Sequence, residues 1–258
     1  MDNAFENHAM TETGGDFEKE SAVMTERVGR LRRRSLDAVP TLSTERAVLM
    51  TEFYRQPLGM VSEPVRRAMA FRHLVENRTI CIADDELIVG EKGPAPKATP
   101  TYPELCCHTL DDFDILDTRE KIPFKVNEQA RRDQAETVIP FWQGRSMRDK
   151  ILGAMTPEWS DAYEAGVFTE FMEQRSPGHT VLDDKIYGKG MEDFIGDIER
   201  AVEKLDFLAD PHAQSRKEQL DSMKIAAEAI ITLGRRHAEQ ARRLAGLENE
   251  PERRKELE

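Results

Sequence analysis

Residues 191–205 read MEDFIGDIERAVEKL and place Met191, Phe194, Ile195, Ile198, Val202 and Leu205 at steps of three and four. At 3.6 residues per turn these side chains form one apolar stripe, with an acidic face opposite, so the stretch predicts an amphipathic helix that docks on a neighbour. Residues 214–246 repeat the pattern with Leu220, Met223, Ala227, Ile230, Ile231 and Gly234 on one side, then dissolve into the charged run NEPERRKELE. That run predicts a charged tail over 247–258 with no closing element. Upstream, residues 25–38 form a charged helix stopped before Pro40, and Ser43 or Thr44 caps a second helix through Tyr54. Pro64 sits in the first turn of a third helix, whose apolar positions are Val65, Ala68, Met69 and Phe71. The period then shortens. In TICIADDELIVGE (79–91), Ile80 and Ile82 precede an acidic turn at Asp84 and Asp85, and Leu87, Ile88 and Val89 follow it, which predicts a β-hairpin over residues 79–90. Four prolines between 94 and 103 force GPAPKATPTYPE to run extended as a wrapping loop whose backbone needs partners from the body of the protein. The fold class is therefore mainly α with short β-strands.

Composition limits what such a chain can do. With 258 residues and 39% apolar content it can bury a core, and residues 25–246 read as the structured part behind a disordered lead at 1–24. The formal charge of −12, against basic clusters no larger than RLRRR at 30–34, argues against nucleic acid. No apolar run approaches the roughly 20 residues of a membrane span, and the polar N-terminus lacks a signal-peptide core. Cys81, Cys106 and Cys107, an odd number with two adjacent, make a poor disulfide framework. Free thiols, a cytoplasmic location and no membrane partner are the expectations.

Few residues point to chemistry. His179 stands at the end of a Ser-Pro-Gly-His turn, where an imidazole that titrates near neutrality can give a proton to a leaving group or simply hold its own backbone. Cys106, Cys107 and His108 have the composition of a metal site, but no second ligand pair lies at zinc-type spacing, so core thiols are expected and no metal. Asp183, Asp184, Asp84 and Asp85 fit turn caps and solvated faces better than acid–base pairs. Trp142, beside Phe141, and Trp159, after a Thr156-Pro157 helix start, suggest burial under helices.

Six runs together carry a resemblance: TERAVLMTEFYR (44–55), DDELIVGEKG (84–93), PTYPELCCHT (100–109), IPFWQGR (139–145), TPEWSDAYEAGVFTEFMEQRSPGHTV (156–181) and DKIYGKG (184–190). They resemble the N-terminal part of the glycyl radical enzymes of the pyruvate formate-lyase superfamily. PTYPELCCHT and TEFMEQRSPGHTV are similar to the branch that dehydrates trans-4-hydroxy-L-proline to a pyrroline carboxylate. The resemblance implies the N-terminal portion of a ten-stranded α/β barrel and a glycyl radical installed by a radical S-adenosylmethionine activase. It also implies a small hydroxylated substrate, a C-terminal part of the enzyme as partner, and a possible homodimer. It further implies that His179 faces the substrate hydroxyl and that Phe171 lines the ring of the substrate. The Cys-x-Glu motif that carries the thiyl radical and the base, and the loop with the radical glycine, are absent from these 258 residues. The chain alone is therefore expected to be inactive and to expose apolar surface near residues 191–205 or their neighbour. Two alternatives stay open: another glycyl radical eliminase, such as a glycerol or diol dehydratase or a formate acetyltransferase-like enzyme, or a non-catalytic interaction module.

Overall fold

The computed structural model describes residues 25–57, 59–168, 182 and 184–258. Helix α1 (Glu26–Asp37) starts where the Thr25 hydroxyl accepts a hydrogen bond from the Val28 N–H, and ends as Ala38 turns extended two residues ahead of Pro40. Strand β1 (Thr41–Ser43) leads into α2 (Glu45–Arg55). Thr44 stands at the N-cap position of α2, but its hydroxyl donates to Asp133 Oδ2 at 2.8 Å instead of capping the helix. Helix α3 (Glu63–Asn77) carries Pro64 in its first turn, where the missing N–H costs nothing.

The hairpin expected over 79–90 does not form. β1 pairs instead in parallel with β2 (Ala98–Pro100), inside the proline-rich loop, in the register Thr41 to Ala98 and Ser43 to Pro100. The acidic turn between the two expected strands is held from outside. Arg30 makes a bidentate contact with Asp85 at 2.7 and 2.8 Å, and Arg34 reaches Asp84 Oδ2 at 3.2 Å. Asp85 itself adopts φ 64°, the left-handed region an aspartate tolerates in a turn. The wrapping loop closes tightly at Gly93, where any Cβ would stand 2.2 Å from the Ala98 carbonyl oxygen.

The long C-terminal helices form as the apolar stripes require. After the single turn of α9 (Lys185–Gly188), α10 (Met191–Glu203) packs along α11 (Ala213–Ala245), and α11 packs along α3. Ile198 is buried on α10, while Ala227 and Ala229 are buried on α11. Met223 and Ile230, expected on the covered side of α11, are exposed. A helix flanked by two neighbours buries two arcs, and its alanines mark the closest approaches. The last segment corrects the expected tail: Pro251–Leu257 forms α12, capped by the Glu250 carboxylate, which accepts from the Arg253 N–H at 2.6 Å. Arg27 of α1 donates to Glu256 at 2.6 Å, and Arg253 donates to the Ala83 and Glu86 carbonyls at 3.1 and 2.8 Å. The two ends of the described chain thus close over the acidic turn.

The central core lies under α4 (Leu110–Thr118), α5 (Glu128–Asp133) and α6 (Ile139–Trp142). A capping box between Thr109 and Asp112 starts α4, and Phe113 on it is wholly buried against Leu42, Val126 and Ala130. Burying such a ring stabilises by roughly 1.5–3 kcal/mol. Between α5 and α6 the helix opens into a π-turn at Gln134–Val138, two residues before Pro140. Proline has no N–H and its ring crowds the preceding turn, so the wider turn accommodates it without breaking the helix. Trp142 is then buried against Ala47 and Val138, with its Nε1 donating to Thr51 Oγ1 at 2.9 Å. Trp159 departs from expectation and is 59% exposed.

Candidate functional site

Phe171 and His179, the residues singled out from sequence, lie outside the described residues. The structure defines what leads into and out of their segment. Helix α7 (Met147–Ala154) begins at a Ser146–Asp149 capping box, and its first N–H groups bind the preceding loop: Met147 N–H to the Glu104 carbonyl at 2.9 Å and Arg148 N–H to the Leu105 carbonyl at 3.0 Å. Helix α8 (Pro157–Glu164) starts under the Thr156 hydroxyl. It ends with Gly166 at φ 71°, the Gly166 N–H on the Tyr163 carbonyl and the Val167 N–H on the Ala162 carbonyl. Those paired bonds satisfy orphan carbonyls of the last turn, and glycine supplies the left-handed residue without strain. The chain is thereby aimed so that Phe168 meets the Trp159 ring edge-on, centroids 5.0 Å apart, with Tyr163 6.0 Å away. Arg148 of α7 donates to the Tyr163 hydroxyl at 3.0 Å, joining α7 to this aromatic group. On the far side the chain re-enters at Asp184 and α9, where Lys189 Nζ pairs with Asp197 Oδ2 of α10 at 2.6 Å.

The other sequence candidates separate clearly. Cys107 is half-buried beside Trp142 and Val138, and burial, followed by Asp149 and Asp112, pushes its thiol up to about 11. At neutral pH it is a protonated packing group with no nucleophilic thiolate. Cys81 is also raised, chiefly by burial and then by Glu91 and Glu86, and both Cys81 and Cys107 are free thiols. His108 Nδ1 lies 3.7 Å from Asp112, one turn along α4, and no group of three metal-capable side chains occurs among the described residues. Asp85 is held below the usual carboxylate range, first by its hydrogen bond from Arg30, which makes it a structural anion. Asp184 is at the N-terminus of α9. Asp183 lies outside the described residues.

Two features went unread in the sequence. A cleft of about 250 Å³ opens between β2 and the residues after α4, walled by Leu42, Tyr102, Cys106, Leu116 and Phe124. Beside it the Arg46 guanidinium lies 3.9 Å from the Tyr102 ring centroid and pairs with Glu104, so TYPE (101–104) is clamped onto α2. Its signal was the Tyr-Pro-Glu triplet opposite an arginine in the first turn of a helix, a match visible only once the two are adjacent. The cleft is apolar-walled and suits a ring or an aliphatic group better than proton transfer.

The pattern of the Pyruvate formate lyase-like family matches residues 24–258. The chain is 53% identical over 232 residues to the trans-4-hydroxy-L-proline dehydratase of Clostridioides difficile, a match that covers 90% of this chain and 29% of that protein. Its structure superposes on the crystal structure of hydroxyproline dehydratase from that organism, with trans-4-hydroxy-L-proline bound, at a TM-score of 0.85, covering 90% of this chain and 30% of the other. The B12-independent glycerol dehydratase of Clostridium butyricum gives a TM-score of 0.83 at 30% identity, over 91% of this chain and 30% of that one. The chain thus spans under a third of the length of these relatives, and what it matches is their N-terminal portion. Fold, spacing and sequence agree that it belongs to the pyruvate formate lyase-like family, whose members are glycyl radical dehydratases and lyases.

Proposed function

We propose that this chain supplies the N-terminal part of a glycyl radical enzyme that dehydrates trans-4-hydroxy-L-proline to a pyrroline carboxylate. The observation that carries the reading is the gap in similarity: 53% identity to the hydroxyproline dehydratase, against 31% to a probable dehydratase of Escherichia coli and 28% to a sulfopropanediol dehydratase. The net reaction removes one water, the ring hydroxyl leaving with a hydrogen from the substrate. Hydroxide is a poor leaving group, and His179 is the proton donor of this chain for it; Phe171 supplies an apolar wall against the pyrrolidine ring. The radical glycine, set by a radical S-adenosylmethionine activase, provides the hydrogen-abstraction chemistry from outside the 258 residues. Association with the remaining part of the enzyme, and a homodimer of the whole, belong to the same proposal.

The test is a chimera in which this chain replaces the matching segment of the Clostridioides difficile enzyme, activated anaerobically. Turnover of trans-4-hydroxy-L-proline in preference to glycerol is the expected result. In that chimera His179→Gln should lower kcat on the order of 10²-fold with a smaller change in KM. Phe171→Ala should impair both constants through lost positioning. An active chimera whose His179→Gln variant keeps kcat within about twofold would remove the histidine from the chemistry.

A further inference from the structure

The stretch Glu86–Glu91, ELIVGE, has the apolar β-forming centre of a strand, and nothing in the described chain uses it as one. The N–H and C=O groups of Leu87, Ile88, Val89 and Gly90 form no hydrogen bond among the described residues. The first two side chains are largely uncovered, Leu87 at 64% and Ile88 at 92% exposure, and Val89 is 38% exposed. Both ends, by contrast, are pinned. Arg253 donates to the Glu86 carbonyl at 2.8 Å and Arg78 donates to the Glu91 carbonyl at 2.5 Å. The backbone bends at Leu87 and Ile88, as an unpaired run does when no ladder keeps it extended. A gap of about 480 Å³ separates it from β2, lined by Ile88, Val89, Thr99 and Pro100. Ala98 and Pro100 of β2 offer no donor across that gap, because the Ala98 N–H is already bound to the Ala95 carbonyl and Pro100 has none.

We propose that residues 87–90 are a docking edge, and that their occupant is an extended strand from the part of the enzyme this chain does not span. The proposal rests on the reading of the chain as part of a longer glycyl radical enzyme. Three consecutive apolar residues would point to both faces of a strand, the pattern of a position covered on both sides. The matched relative has more than enough chain to cover it, since this protein accounts for 29% of its length. A second copy is a poor occupant. Antiparallel self-pairing centred on Ile88 and Val89 would set Glu86 opposite Glu91 of the other copy, like charge against like.

Hydrogen exchange of the backbone amides 87–90, read by mass spectrometry in the isolated 258-residue chain and in the chimera described above, tests the edge. Expected is near-free exchange in the isolated chain and slowing by ~100-fold or more in the chimera. Equal exchange in both, in a chimera with native circular dichroism, would overturn the proposal. So would a chimera that does not fold, or protection in the isolated chain that vanishes on dilution, which would assign the edge to a second copy. Ile88→Asp supplies a further readout: the melting temperature of the isolated chain should hold within about 1 °C and that of the chimera should fall by several degrees. An equal fall in the isolated chain would show that Ile88 already has its partners. Slowed amides in a chimera without hydroxyproline turnover would sink the substrate reading and leave the docking edge standing.

Discussion

Trp142 and Trp159 share a Pro-x-Trp context, the first at the last residue of α6 and the second in the first turn of α8, and end in opposite surroundings, 6% and 59% exposed. The first meets the underside of α2, where Thr51 accepts its indole N–H and Ala47 leaves room for the ring. The second meets Phe168 edge-on and sits at the threshold of the segment that carries Phe171 and His179. Local sequence places each tryptophan on a helix; a distant helix decides whether the ring becomes core. One tryptophan is therefore tied to stability, and the other is available to the proposed site.

The contrast can be broken by substitution. Trp142→Ala should cost about 3–5 kcal/mol in denaturant unfolding, and Trp159→Ala under about 1 kcal/mol. If the two costs were equal, the division of labour would be wrong. In the active chimera Trp159→Ala should instead lower kcat/KM by roughly tenfold, since misaiming Phe168 displaces the segment three residues on. Thr51→Val keeps the shape of the side chain but leaves the buried indole N–H without its acceptor, for a loss of about 1–3 kcal/mol. A change under ~0.3 kcal/mol would mean the indole finds another partner.

The smallest effect is a matter of pH. The Cys107 thiol, beside Trp142, titrates at about 11 in the folded chain, above the value near 8.5 of an unfolded cysteine. The stability contributed by its neutral form is complete below that lower value and is lost as pH rises through about 11. Fluorescence of Trp142 should record the loosening, with Trp159 silent, and Cys107→Ala should flatten the response. Alkylation of Cys107 by iodoacetamide at pH 8 should be slow until denaturant is added.

The helices were legible because each carries its own instructions. Thr25 and the break before Pro40 bound α1, and the stripe from Met191 to Val202 draws α10. What failed depended on remote partners. Residues 79–90 alternate as a hairpin should, yet Arg30, Arg34 and Arg253 take the turn, and β1 takes a proline-rich neighbour 57 residues away in register. NEPERRKELE looked like solvated charge because its main fixing contact, Arg27 to Glu256, spans 229 residues. At the proposed site, no periodicity marks Phe171 or His179; only the likeness of whole runs to a family drew attention to them. The Arg46–Tyr102–Glu104 clamp was unreadable for the same reason as the hairpin, as two distant segments define it together.

The π-turn gives the chain an inserted tooth on a gear. Ala130, Gln134, Val138 and Trp142 are all buried at intervals of four residues, whereas an ordinary helix would slip about 40° at each such step. The wider turn takes up part of that slip and keeps the four side chains on one meridian. Deleting a single residue from 134–138 would restore ordinary helical pitch and leave Trp142 facing Thr51, since removing the extra residue also removes the wider turn that accommodates it. Adding a residue there would instead turn everything beyond it by about 100° and swing Trp142 away from Thr51, so a one-codon insertion should be more damaging than a one-codon deletion or most substitutions at the exposed positions of the segment.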